Sequence, residues 1–193
     1  MKSYKALNNQ IYSSGKFSLV PIRFEDKLDI MKWRNEQLYH LRQEKPLTLE
    51  DQEKYFNDVI SNLFEQEKPN QILFSFLEND ICVGYGGLVH INWINKNAEM
   101  SFLVNPIIAS NIEAYEISFS SFIKLIKKVC FEEIKFNKLY TETYSNRLKH
   151  IKILEKNGFV IEGILREHII QNSKFQNSIL HSILETEYNA IKK

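Results

Sequence analysis

The stretch Leu154-Glu-Lys-Asn-Gly158-Phe159, continuing through Glu162-Gly163-Ile-Leu-Arg166, passes from a helical pattern to a strand pattern across a single glycine. Residues 147–157 read as a helix, and Gly158 stands where a helix end favours a residue without a Cβ. Residues 159–170 and 175–188 read as two closing strands. Residues 138–145, which begin Lys138-Leu-Tyr-Thr-Glu142, read as the strand before the helix.

On the N-terminal side of that strand, Tyr115, Phe119, Phe122, Ile126 and Val129 form one stripe at helical spacing, with Lys124, Lys127 and Lys128 elsewhere around the turn. This is the pattern of a long amphipathic helix. Residues 98–105 alternate instead, placing Ala98, Met100, Phe102 and Val104 on one strand face and Glu99, Ser101 and Leu103 on the other. Residues 72–77 and 82–91 form a hairpin closed by Glu78-Asn79-Asp80. Residues 17–24 read as the first strand, at a sheet edge because Pro21 cannot donate to a ladder. Glu25 and Asp26 open a helix, and a second begins at Thr48, which Asp51 caps. The order β-α-α-β-β-β-α-β-α-β-β predicts a mixed α/β fold in one domain over residues 1–193, with residues 1–16 as an N-terminal extension.

The 193 residues include 25 Lys plus Arg against 24 Asp plus Glu, a net charge of +1 that gives no reason to expect a nucleic acid as partner. Cys82 and Cys130 lie in apolar runs with no His or Cys at ligand spacing, which argues against a metal centre or a disulfide framework. Residues 1–15 lack the apolar core of a secretion signal, and no run reaches membrane-spanning length. A cytoplasmic location is the expectation.

The element order, the Leu154–Phe159 passage with Glu162-Gly163, the glycine-rich Val83-Gly84-Tyr85-Gly86-Gly87-Leu88 and the Ala98-Glu99…Val104-Asn105-Pro106 strand together resemble the GCN5-related N-acetyltransferase (GNAT) superfamily. The resemblance covers most of residues 17–188. It implies a mostly antiparallel sheet of about seven strands, splayed between the fourth (98–105) and fifth (138–145), with helices on both faces. It also implies acetyl-CoA as cofactor and a small-molecule amine as acceptor. The glycines of 83–88 are read as relief of crowding in a bent strand or as close approach to a ligand.

Acetyl transfer from a thioester to an amine needs a proton acceptor for the nitrogen and donors for the oxyanion. The family places a catalytic glutamate at the position of Glu99, and His90 on the preceding strand is a second candidate base. Phe102, Leu103 and Val104 occupy the stretch along which the family lays the pantetheine arm, and Asn146 is a further contact for its amides. Trp33-Arg34-Asn35 is similar to a feature of GNAT enzymes that acetylate nucleotide-linked amino sugars, with Arg42 suited to a diphosphate and Trp93 to a wall against a sugar. Protein N-terminal acetylation is the runner-up, because ribosomal-protein acetyltransferases share the E-K-x-G-F-x-x-E-G ending.

Two departures from the family pattern stand out. The loop that usually carries glycines to hold the pyrophosphate reads Ile107-Ile-Ala-Ser-Asn-Ile-Glu-Ala-Tyr-Glu-Ile-Ser118, with no glycine. Two registers fit: a capping box at Ser110-Asn-Ile-Glu113, or a helix that starts near Ser118, whose donors would then meet the phosphates. Leu154 stands where relatives carry a tyrosine that protonates the departing thiolate, leaving Tyr144 or water for that step. These departures leave room for a domain that binds without catalysing. His150, His168 and His181 form no constellation in the sequence. The oligomeric state stays open, with residues 179–183 of the last strand as a candidate seam for a homodimer.

Overall fold

The computed structural model describes residues 2–191. Strands β1 (Tyr12–Ser14) and β2 (Phe17–Pro21) are followed by helix α1 (Lys27–Glu36). Next comes a continuous helical run of α2 (Leu49–Lys54), a π-helical segment (Tyr55–Ile60) and α3 (Ser61–Glu65). The chain then forms β3 (Ile72–Glu78), β4 (Ile81–Asn92), β5 (Asn97–Val104), α4 (Pro106–Ser110) and α5 (Ile112–Lys127). It closes with β6 (Lys138–Tyr144), α6 (Leu148–Lys156), β7 (Val160–Gln171), β8 (Lys174–Leu184) and α7 (Glu185–Ile191).

The eight strands form one sheet in the order β1-β2-β3-β4-β5-β6-β8-β7. Only β5 and β6 run parallel. The strand beyond the expected seven is β1, so part of the N-terminal extension belongs to the sheet. Tyr4 anchors the rest: its hydroxyl donates to Leu73 O at 2.8 Å and accepts from Leu73 N at 3.0 Å. As a result β2 is not an edge strand. Pro21 is tolerated there because the β1 ladder reaches only Leu19, leaving the proline at the strand end with β3 alone.

The local chemistry of the quoted passage holds. Gly158 has φ 85°, Gly158 N donates to Glu155 O, and Phe159 N reaches back to Leu154 O at 3.1 Å, which closes α6 on a left-handed glycine. Asn79 and Asp80, both at positive φ, make the two-residue β3–β4 turn. The glycines of β4 answer to crowding between strands. A Cβ on Gly86 would stand 2.1 Å from Ser101 O, and one on Gly87 2.0 Å from Ile72 O.

Helix α5 packs on the sheet face that carries Phe76 and Phe102. Phe119 stacks on Phe102 at 4.9 Å, and Phe122 meets Phe76 edge-on at 5.7 Å. Each such buried ring contributes about 2–3 kcal/mol by removal from water. Helix α1 covers the opposite face, where Arg34 donates to the Tyr85 hydroxyl. Strand β8 is enclosed between β6 and β7, so residues 179–183 cannot offer a free edge to a second copy. The hairpin folds back so that the later strand lies inside, and the exposed edge is β7. The last strand also ends at Leu184, where the chain turns into α7. Among the described residues no helix is long and apolar enough to cross a membrane.

Candidate active site

Strands β5 and β6 pair over only three positions, Asn97↔Lys138, Ala98↔Leu139 and Glu99↔Tyr140. Beyond Glu99 each continues with its outer neighbour, β4 or β8, and the two diverge. Two cavities fill the resulting wedge. One, of about 200 Å³, is bordered by Glu99, Arg42, Glu142 and Tyr144. The other, of about 360 Å³, lies along Leu103 and Val104 and reaches Asn146, Lys149 and Tyr115. His40, Phe102, Arg147 and His150 border both, and so form the waist between them.

Glu99 sits at the point where pairing stops, with only 8% of its surface exposed. Its Oε1 accepts from Arg42 Nη2 at 3.0 Å, and its Oε2 lies 2.7 Å from His90 Nδ1. His90 reaches it because β4 bulges between Val89 and Asn92, with His90 itself at φ 47°. The His90 side chain is 63% exposed, so the pair joins a buried carboxylate to solvent.

Arg42 also donates to Glu142 Oε2 at 2.7 Å, so one guanidinium spans carboxylates from both splayed strands. Its burial opposes the charge, but Glu99 and Glu142 outweigh that and hold its pKa above the usual value. Glu142 was not singled out in the sequence. Its alternation with Tyr140 and Tyr144 gave the face, but only the pairing of Glu99 with Tyr140 brings it to the wedge. His168 Nε2 approaches Glu142 Oε1 at 3.9 Å. Tyr144 borders the same cavity, and burial raises its pKa despite the nearby Arg42.

The residues proposed for an amino-sugar acceptor separate. Trp33 is in the core, 5% exposed. Asn35 holds the 43–47 loop, accepting from Leu47 N at 2.8 Å and donating to Leu47 O at 2.9 Å. Arg34 borders the smaller cavity, but it is bound to Tyr85 and to Gln43. Trp93 donates to Pro69 O at 2.8 Å and packs edge-on against Phe136, which places it with the core rather than at the wedge.

Phe102, Leu103 and Val104, the stretch to which the resemblance assigns the pantetheine arm, all border the larger cavity, and Gln37 Nε2 donates to Val104 O at 2.9 Å. Asn146 borders this cavity and donates to Gln171 Oε1; it does not cap α6, whose N-cap is Arg147. Neither register read for residues 107–118 is the one formed. Asn105 caps α4 and Asn111 caps α5, accepting from Ala114 N at 3.0 Å. Ser110 turns back to donate to Ile107 O. Ser118 falls in the second turn of α5, 3% exposed, away from any helix start. Two asparagine caps make a two-step helical entry where the family usually carries a glycine loop.

The cofactor that the resemblance implies fits these residues. The larger cavity runs along Phe102–Val104, and Lys149 and Lys152 of α6, together with Lys156 paired to Glu116, border a further cavity of about 230 Å³ beside the start of α5. A helix start presents several unpaired N–H donors, of which Asn111 takes one, and the lysines add the positive charge that phosphates require. The family model for the acetyltransferase (GNAT) domain matches residues 19–180. The chain belongs to the GNAT acetyltransferases. It is an N-acetyltransferase that uses acetyl-CoA as acyl donor.

Solved structures agree on the fold. A mutant form of the spermidine/spermine N-acetyltransferase SpeG from Vibrio cholerae superimposes with a TM-score of 0.78 at 20% identity, covering 93% of this chain and 100% of its own. The Vibrio cholerae spermidine N-acetyltransferase in complex with CoA and spermine gives 0.77 at 19% identity, over 91% of this chain and 99% of its own. A putative acetyltransferase gives 0.68 at 15% identity, over 95% and 91%.

Proposed function

We propose that the acceptor is a small cationic amine of the polyamine kind, and that Glu99 is the base that takes its proton. The observation that carries this reading is the pair of carboxylates, Glu99 and Glu142, facing each other across the wedge with one guanidinium between them. Two carboxylates converging on one cation make a site for an ammonium group, which offers the same charge and directed N–H donors as the arginine. The solved spermidine acetyltransferase that holds spermine supports the same choice. A nucleotide-linked amino sugar, the acceptor suggested by Trp33-Arg34-Asn35, needs free arginines for its diphosphate. Arg34 and Arg42 are both engaged, with Gln43 and Tyr85 in one case and with two carboxylates in the other.

Bound acetyl-CoA supplies the activated acetyl group. A primary ammonium must lose a proton before its nitrogen attacks, and Glu99 stands at the divergence point to accept it. His90, hydrogen-bonded to Glu99 and exposed on its other side, returns that proton to water. Arg42 keeps the two carboxylates turned toward each other, and the arriving ammonium shares Glu142 with it.

The test is thiol release from acetyl-CoA with a panel of amines. Spermidine and spermine are expected to turn over, and Glu142→Gln is expected to raise KM for them about tenfold while changing kcat much less. Turnover with nucleotide-linked amino sugars or peptide amino termini, and none with the polyamines, would refute the proposed acceptor.

A further inference from the structure

When an amine displaces the thiol, the sulfur leaves with the electron pair of the carbon–sulfur bond and needs a proton. Leu154 cannot give one, and it is wholly buried in the core. One helical turn earlier on α6, His150 lies at the waist between the two cavities, where the acceptor side meets the cofactor side. Its ring stacks on Phe119 at 4.2 Å, and its Nδ1 lies 2.7 Å from the Tyr115 hydroxyl. Arg147 Nη2 donates to that same hydroxyl oxygen at 3.3 Å.

In the tautomer that arms the ring, Tyr115 accepts from Arg147 and gives its own hydrogen to His150 Nδ1. Nδ1 is then an acceptor, and the single proton of the neutral ring sits on Nε2. Burial and the charge of Arg147, with smaller contributions from His40 and His181, hold the ring neutral by pushing its pKa well below 6.5. The rival donors are less well placed. His40, also at the waist, has a buried Nδ1 without a hydrogen-bond partner among the described residues, so nothing recharges it. Tyr144 borders only the acceptor-side cavity of the two.

We infer that His150 is the general acid of this enzyme, giving its Nε2 proton to the departing sulfur, with Tyr115 as the proton source behind it and Arg147 as the counter-charge. As the carbon–sulfur bond breaks and its electron pair stays on sulfur, the Nε2 proton moves to sulfur and the Tyr115 proton moves to Nδ1. Arg147 counters the charge left on Tyr115, against the burial that raises the pKa of this hydroxyl above its usual value. The ammonium nitrogen sheds two protons, the first through Glu99 before attack and the second as the amide forms; one of them restores Tyr115 through solvent and the other is released to water. The inference rests on the acetyltransferase reading but not on the choice of acceptor.

Three measurements test it. With acetyl-CoA and spermidine, His150→Ala is expected to lower kcat by about 10²-fold and Tyr115→Phe by about 10-fold, while CoA affinity by calorimetry changes less than about threefold. His150→Gln, which refills the space beside Phe119 but carries no ring proton, should lose as much as the alanine variant. With an acetyl ester of an aromatic thiol, whose thiolate leaves without a proton, wild type and His150→Gln should differ by less than about threefold. Independently of turnover, ¹⁵N spectra of the histidine rings should show His150 as the Nε2–H form, lose that preference in Tyr115→Phe, and shift at Nε2 when CoA is added. Full kcat in His150→Gln, an equal loss on both acyl donors, or a His150 signal unmoved by saturating CoA would each overturn the inference. If CoA moves the His150 signal yet no polyamine is acetylated, the proposed acceptor falls and the general acid stands.

Discussion

At the scale of single residues, the site is a set of charges held where water is scarce. Glu99 is 8% exposed, yet it has an arginine on one oxygen and a histidine on the other, so its charge is balanced inside and connected to the outside. Replacing it by glutamine keeps the shape and leaves Arg42 with Glu142, so the fold should survive. Glu99→Gln is expected to lower kcat by about 10²-fold with little change in melting temperature. Steady-state rates alongside a thermal melt check both halves; unchanged turnover would remove Glu99 as the base. The family resemblance pointed to Glu99, strand alternation turned it from the apolar face, and His90 was legible from its place on the preceding strand. The sequence missed Glu142, Arg147, His150 and Tyr115, whose hydrogen bonds across the site span 32 or more positions, and whose partners no periodicity encodes.

At the scale of elements, the β4 glycines let β3 and β5 approach β4 closely, and so set the position of β5, the strand that carries Glu99. A methyl group on Gly86 would meet Ser101 O at 2.1 Å and the Phe122 ring at 2.9 Å. Neither strand backbone nor buried ring can give way cheaply. Gly86→Ala is therefore expected to cost roughly 1–3 kcal/mol in urea unfolding, and to reduce activity through the displaced β5. An alanine variant as stable as wild type would show that the strands have slack there. The α5 entry illustrates the opposite case. Both readings of residues 107–118 assumed one helix start, whereas Asn105 and Asn111 each cap a separate segment. Asparagine serves as cap, turn or surface residue with nearly equal ease, so the sequence offered no ground for choosing.

At the scale of the whole molecule, three histidines tie stability to pH: the half-buried His40 and the buried His150 and His181, the last lowered chiefly by burial. His40 is held down to about 3 by burial and by Arg147, and His150 lies well below 6.5 for the same reasons. All three rings stay neutral in the folded state, while the unfolded chain protonates them near 6.5. The unfolded state therefore binds more protons below that value, and stability is full above about 6.5 and is lost as pH falls toward 3. The melting temperature is expected to drop between pH 7 and pH 5, above the range where most carboxylates titrate, and to drop less in His40→Gln. A flat profile over that interval would mean that the rings are charged when folded. The sequence by itself determined the element order, the helix stop at Gly158, the β3–β4 turn and the face that Glu99 presents. All of these follow from spacing and backbone preference within a few neighbouring residues. Only the tertiary structure decided that β1 joins the sheet, that β8 lies inside β7, that Trp33 and Trp93 belong to the core, and that Arg42 bridges two carboxylates. Those outcomes depend on which distant surfaces meet and exclude water, and that is settled by packing the whole chain at once.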